Sequence, residues 1–94
     1  SGLEDFIRVH QLTEHFKIPS LVCINKYDIN EDITLEIENY CKDKGIPLVG
    51  KIPFDEKVLE SINNLKPIIY YEKSKANMAI RKMWKEIKEK HINI

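Results

Sequence analysis

Glycine and proline are scarce, at three and four residues in 94, which is too few for a disordered or linker-like chain. Neither sign of charge is in excess. Fifteen Lys and Arg balance fifteen Asp and Glu, and the pI lies near 6.8. A dedicated nucleic-acid binder would carry a basic face and a high pI, so no nucleic-acid partner is expected. A hydrophobic share of 43% also argues against an acidic disordered tail. No apolar run approaches the ~18 residues of a membrane span. Glu4, Asp5 and Arg8 interrupt any leader-like apolar stretch at the start.

Cysteine is equally sparse. Cys23 and Cys41 are too far apart for a C-x-x-C pair, and no histidine stands at metal-ligand spacing from either. Spacing leaves a disulfide open, but two scattered cysteines in a Lys-, Ile- and Asn-rich chain read as reduced and cytoplasmic. Cys23 lies in the apolar run Leu21-Val22-Cys23-Ile24 and is expected as a small buried hydrophobe. His10, His15 and His91 stand alone on helical patterns and are expected at the surface or half-buried, not as ligands.

What is present is a pattern of helices and short strands. Leu3, Phe6, Ile7, Val9, Leu12 and Phe16 recur at helical spacing over 3–17, with Ser1 or Gly2 to begin the helix and Pro19 to stop it. Residues 20–24 form an unalternating apolar run, the mark of a strand buried on both faces. Asn30 suits an N-cap, and Ile33, Ile37, Tyr40 and Cys41 make the stripe of a second helix that Gly45 ends. Residues 46–52 read as a second strand, with Pro47 at its start and Pro53 after it. Asp55 can cap a short third helix with Val58, Leu59 and Ile62 on its buried side, ended by Asn63-Asn64. Residues 65–71 are open between extended chain and loop. Ser74 caps a last helix with Ala76, Ala79, Ile80, Met83, Trp84 and Ile87 along one face and a mixed-charge, solvated opposite face.

Residues 20–52 therefore form a βαβ unit with two parallel strands and a right-handed crossover. Parallel sheets are normally covered on both faces and contain several strands. Four helical segments around two strands are too much cover for too little sheet. The fold expected is α/β: a partial doubly wound parallel sheet, with 1–94 as one carboxyl-terminal fragment of a larger domain. Completion of the sheet by an edge-paired oligomer is the alternative.

Ligands of open α/β sheets bind beyond the carboxyl ends of the strands. Two segments fall there, Asn25-Lys26-Tyr27-Asp28 and Pro53-Phe54-Asp55. The first has the N-K-x-D pattern that reads a nucleotide base. An Asn amide offers a donor and an acceptor to a purine edge, a Lys stem can lie along the base plane, and an Asp carboxylate can accept from guanine N–H groups. Asn, Lys and Asp are also common turn residues, so position at a strand end is what favours the nucleotide reading.

Ser1-Gly2-Leu3-Glu4-Asp5, Ile18-Pro19 and Val22-Cys23-Ile24-Asn25-Lys26-Tyr27-Asp28 resemble the carboxyl half of a deviant-Walker (SIMIBI class) P-loop ATPase of the MinD/ParA/Mrp superfamily. Residues 45–55, Gly-Ile-Pro-Leu-Val-Gly-Lys-Ile-Pro-Phe-Asp, are similar to that family's G-I-P…G-x-I-P-(aromatic)-D segment. Together with Lys66-Pro67-Ile68-Ile69 and the last helix, they resemble most the MinD-like branch with an inserted ferredoxin-type iron–sulfur module. The resemblance implies that Asn25 and Lys26 contact adenine, that Asp28 supports the loop, and that Pro53, Phe54 and Asp55 form the other wall of the base pocket. It implies ATP as ligand, with Mg²⁺ held by an upstream part and an iron–sulfur cluster elsewhere in the parent protein. It further implies the upstream half of the domain as partner, and a homodimer in the parent. These residues contain no G-x-x-x-x-G-K-[ST] loop, so the fragment is not expected to hydrolyse ATP, and no catalytic or metal-binding residue is assigned in it. Two other readings stay open: the carboxyl-terminal lobe of a GTPase that reads guanine through N-K-x-D, and a non-catalytic interaction domain completed by oligomerisation.

Overall fold

Helix formation follows the local chemistry closely. The computed structural model describes residues 2–92, in the order α1 (Gly2–His15), β1 (Val22–Asn25), α2 (Glu31–Lys44), β2 (Leu48–Ile52), α3 (Glu56–Asn63), a 3-10 turn (Ile68–Tyr70) and α4 (Lys75–Lys90). Ser1, named above as a possible helix start, lies outside the described residues. Asn30 caps α2 by accepting from the Ile33 amide at 3.1 Å, and Ser74 caps α4 by accepting from the Asn77 amide at 3.0 Å. Gly45 ends α2 at φ 69°, in the left-handed region that glycine enters without a Cβ penalty. The ambiguous stretch 65–71 resolves into a turn and the 3-10 segment; the Ile69 carbonyl within that segment and the Tyr71 carbonyl just after it both accept from the Asn77 side-chain amide.

The chain is mixed α/β, with four α-helices and one parallel two-stranded sheet among the described residues. Both strands are shifted from their expected limits. β1 runs on to Asn25, and β2 begins at Leu48 because the Ile46 amide donates back to the Cys41 carbonyl at 2.8 Å to close α2. Pro47 lacks an N–H but contributes its carbonyl, which accepts from Val22 at 3.0 Å. Val22 pairs with Leu48 and Cys23 with Gly50, so the register slips past Val49. Side chains alternate across a strand. Gly50 abuts Met83 of α4 and Lys51 meets Glu38 of α2 at 3.0 Å, so the two helices lie on opposite faces of the sheet.

The expectation of a strand buried on both faces is corrected. Within β1, Ile24 is buried, but Val22 is half-buried and Cys23 and Asn25 are exposed. Cys23 is thus not the buried hydrophobe that its apolar neighbours suggest, because a two-stranded sheet has nothing beside β1 to cover it. Val58, Leu59 and Ile62, expected on the buried side of α3, are also exposed. The stripe of α1 is covered near Phe6 and uncovered from Val9 to Phe16. His10 departs in the other direction: it is buried, with Nδ1 2.9 Å from the Tyr40 hydroxyl and Nε2 3.2 Å from the Glu14 carboxylate. Phe6 and His10 both meet the Tyr40 ring edge-on, and this cluster joins α1 to α2.

Among the described residues, the buried apolar side chains are Ile24, Cys41, Val49 and Ala76. The radius of gyration, 14.7 Å, exceeds the roughly 12–13 Å of a compact chain this long. The extents of 41 × 35 × 19 Å describe a thin slab. No helix among the described residues is long and apolar enough to cross a membrane.

Candidate functional site

Asn25 ends β1, and Lys26, Tyr27 and Asp28 form the turn that leaves it. Tyr27 prolongs the parallel ladder by donating its amide to the Ile52 carbonyl at 3.2 Å. Its carbonyl accepts from the buried Thr34 hydroxyl at 2.7 Å, which pins the turn to the first part of α2. Lys26 sits at φ 55°, a left-handed conformation uncommon for a side chain with a Cβ. The Ile29 amide closes the turn onto the Lys26 carbonyl at 3.1 Å. Asp28 faces the second segment: its Oδ1 accepts from the Phe54 amide at 2.7 Å. This bond ties the two strand-end loops together.

Asp55 is held from three sides. Its Oδ1 accepts from the Lys57 amide at 2.9 Å and caps α3. Its Oδ2 accepts from the Ser74 hydroxyl at 2.5 Å and from the Ala76 amide at 3.0 Å, at the start of α4. The Ser74 hydrogen bond, assisted by amides of Ala76, Lys57 and Lys75 and opposed by desolvation, holds the carboxyl well below its usual range, at about 2. The carboxylate is therefore committed to two helix starts, and Asp55 borders the site with its oxygens already engaged.

Asn25, Lys26, Pro53, Phe54 and Asp55 line one cleft of about 240 Å³, completed by Ile52 and by Glu56, Val58, Leu59 and Ile62 of α3. Asp28 stands behind it and holds Phe54 in place. The cleft is mainly apolar with a few polar members, the composition typical of sites for small, partly apolar ligands. The exposure of Val58, Leu59 and Ile62 gives that wall to the cleft rather than to a core. Sequence reasoning missed Thr34 and Tyr27 as supports, and missed the α3 residues as wall. The apolar face of α3 was legible, but not what it faces. A larger groove, about 440 Å³, lies between β2 and α4 and shares only Pro53 with the candidate residues.

Among the described residues, no three His, Cys, Asp or Glu side chains gather as a metal-holding group. Cys23 and Cys41 are free, one exposed and one buried. These residues offer no fitting donors for the Mg²⁺ or the iron–sulfur cluster implied by the resemblance, so no chemistry is assigned here to either group. No protein-family model, curated protein or solved structure matches this chain.

Proposed function

We propose that residues 1–94 are the nucleotide-base-binding, carboxyl-terminal part of a MinD-like α/β ATPase of the iron–sulfur branch, acting in a reducing cytoplasm. One observation carries the reading: five of the six residues named from two separate sequence segments line a single cleft at the carboxyl ends of adjacent parallel strands. The sixth, Asp28, fastens the two segments together. In this reading the Asn25 amide meets the polar edge of adenine, and the base lies against the apolar wall of Phe54, Val58 and Leu59. Lys26 adds a cation to the ring face. Phosphates, Mg²⁺ and the phosphate loop belong to an upstream part that adds strands beside β1, where Leu21 and Cys23 are exposed. In the parent protein that assembled domain would act as a homodimer.

Adenine is favoured over guanine because the segments that flank the two loops resemble the ATPase branch. The non-catalytic reading draws on the exposed apolar side of α1, which a second copy would cover.

Titration of the isotope-labelled chain with adenosine, and separately with guanosine, tests the proposal. Weak saturable shifts at residues 25–28 and 52–59 with adenosine, smaller with guanosine, are expected, together with no ATP turnover. Preference for guanosine would transfer the site to the GTPase reading. ATP hydrolysis that survives removal of contaminants overturns the proposal. A dimer by light scattering with no nucleoside shift favours the interaction domain instead.

A further inference from the structure

We propose that the groove between β2 and α4 takes up an acidic peptide segment in extended form, as a third strand on the free edge of β2. Among the described residues the sheet has two strands, and the side of β2 away from β1 has no strand partner. Leu48, Val49, Gly50 and Lys51 border the groove in unbroken succession, and Tyr27, whose ring lies under the Lys51 ammonium at 5.0 Å, also lines it. Side chains alternate between faces along a strand, so four consecutive residues line one groove only where the strand presents its backbone edge.

The opposite wall is one face of α4, with Lys75, Ala79, Lys82, Met83 and Glu86 at helical spacing. The two walls match in length. Five strand residues span ~17 Å, and the helix between Lys75 and Glu86 rises by about as much. A segment of four or five residues would fill the groove.

Charge selects the occupant. Lys51, Lys75 and Lys82 line the groove against Glu86. Lys51 is paired with Glu38 at 3.0 Å, and Glu86 with Lys90 at 3.3 Å. The ammonium groups of Lys75 and Lys82 have no acidic partner among the described residues. A second copy adding its own β2 would bring Leu-Val-Gly-Lys-Ile, with one lysine and no acid to meet Lys75 and Lys82. A nucleic acid would meet the lysines but leave the strand edge unpaired. An extended acidic peptide satisfies both, with main-chain bonds giving affinity and alternate side chains giving selection.

The test is a titration of the isotope-labelled chain with a blocked heptapeptide that alternates glutamate and valine. Saturable shifts in residues 48–53 and in α4 from Lys75 to Glu86 are expected, with slowed exchange of β2 amides. The peptide with lysine in place of glutamate should not bind. Lys75→Glu combined with Lys82→Glu should weaken binding about tenfold without loss of the fold, since both side chains are exposed; Lys75→Gln with Lys82→Gln should give a smaller loss. Absence of shifts in the unaltered chain overturns the proposal, as does equal binding of the lysine peptide. Oligothymidylate that displaces the peptide and binds as tightly, with β2 exchange unchanged throughout, also overturns it, because the lysines then act as a general polyanion patch.

Discussion

Asp55 and Ser74, 19 positions apart, are joined by a 2.5 Å hydrogen bond that couples the start of α3 to the start of α4. The Ser74 hydroxyl donates to Asp55 while its oxygen accepts from the Asn77 amide, so one side chain serves two caps. Ser74 is buried, as are Ala76 and Asn77 beside it. This junction fixes α4 relative to the loop after β2, and therefore positions one wall of the cleft and one wall of the groove.

Asp55→Ala removes acceptors from both helix starts and should cost about 1–3 kcal/mol, by cap loss and by leaving the Ser74 hydroxyl without its acceptor. Urea denaturation measures the loss. The pH dependence has a definite sign. A carboxyl held at about 2 in the fold, against ~3.9 when unfolded, stabilises the fold fully above the unfolded value. That contribution is lost as pH falls through about 2. The stability gap between the unaltered chain and Asp55→Ala should be constant from neutral pH to about 5 and close as pH drops from ~4 toward 2.

Asp28 acts through the Phe54 amide, so Asp28→Ala should loosen the second loop while leaving the helices intact. Phe54 amide exchange should accelerate by about tenfold, on the scale of one hydrogen bond. Asp28→Asn keeps an acceptor oxygen and should behave nearly as the original residue. Adenosine shifts that persist in Asp28→Asn fit the adenine reading, and loss of a guanosine preference in that variant would fit the GTPase reading.

Gly50 is a packing glycine. A Cβ built there would lie 2.9 Å from Met83 Cβ and 3.0 Å from its Cγ. Gly50→Ala should therefore destabilise by about 1–3 kcal/mol as α4 is pushed from the sheet. Met83→Ala in the same chain should restore little, because the nearest atom is the Cβ that alanine retains. Thermal unfolding of the single and double variants decides this.

Tyr40→Phe removes the hydroxyl from the buried His10 and leaves Nδ1 without its partner. A loss of about 1–2 kcal/mol is expected, with the edge-on ring packing kept. A double-mutant cycle with His10→Phe should return a coupling of at least ~0.5 kcal/mol. Coupling near zero would show that α1 is held on α2 by ring packing alone.

Much of the local structure was legible. The caps at Asn30 and Ser74 and the stop at Gly45 depend on residues within four positions of one another, and all of them hold. The two loops after the strands were legible as a pair because parallel strands joined by a helix bring their carboxyl ends to one side. Burial was not. Cys23, Val58, Leu59 and Ile62 have the composition of core residues yet are exposed. An apolar face states only that something should cover it, not whether this chain supplies the cover.

By itself, the sequence determined an α/β order, the helix limits to within a few residues, and two polar-to-aromatic segments at strand ends. Only the tertiary structure decided which side chains meet: Asp28 with Phe54 across 26 positions, Asp55 with Ser74 across 19, and His10 with Tyr40 across 30. Capping and periodicity act through neighbours along the chain, so they are written locally. The contacts that shape the cleft, and the edge of β2 left open beside two lysines, arise where distant segments converge, and no local pattern encodes that convergence.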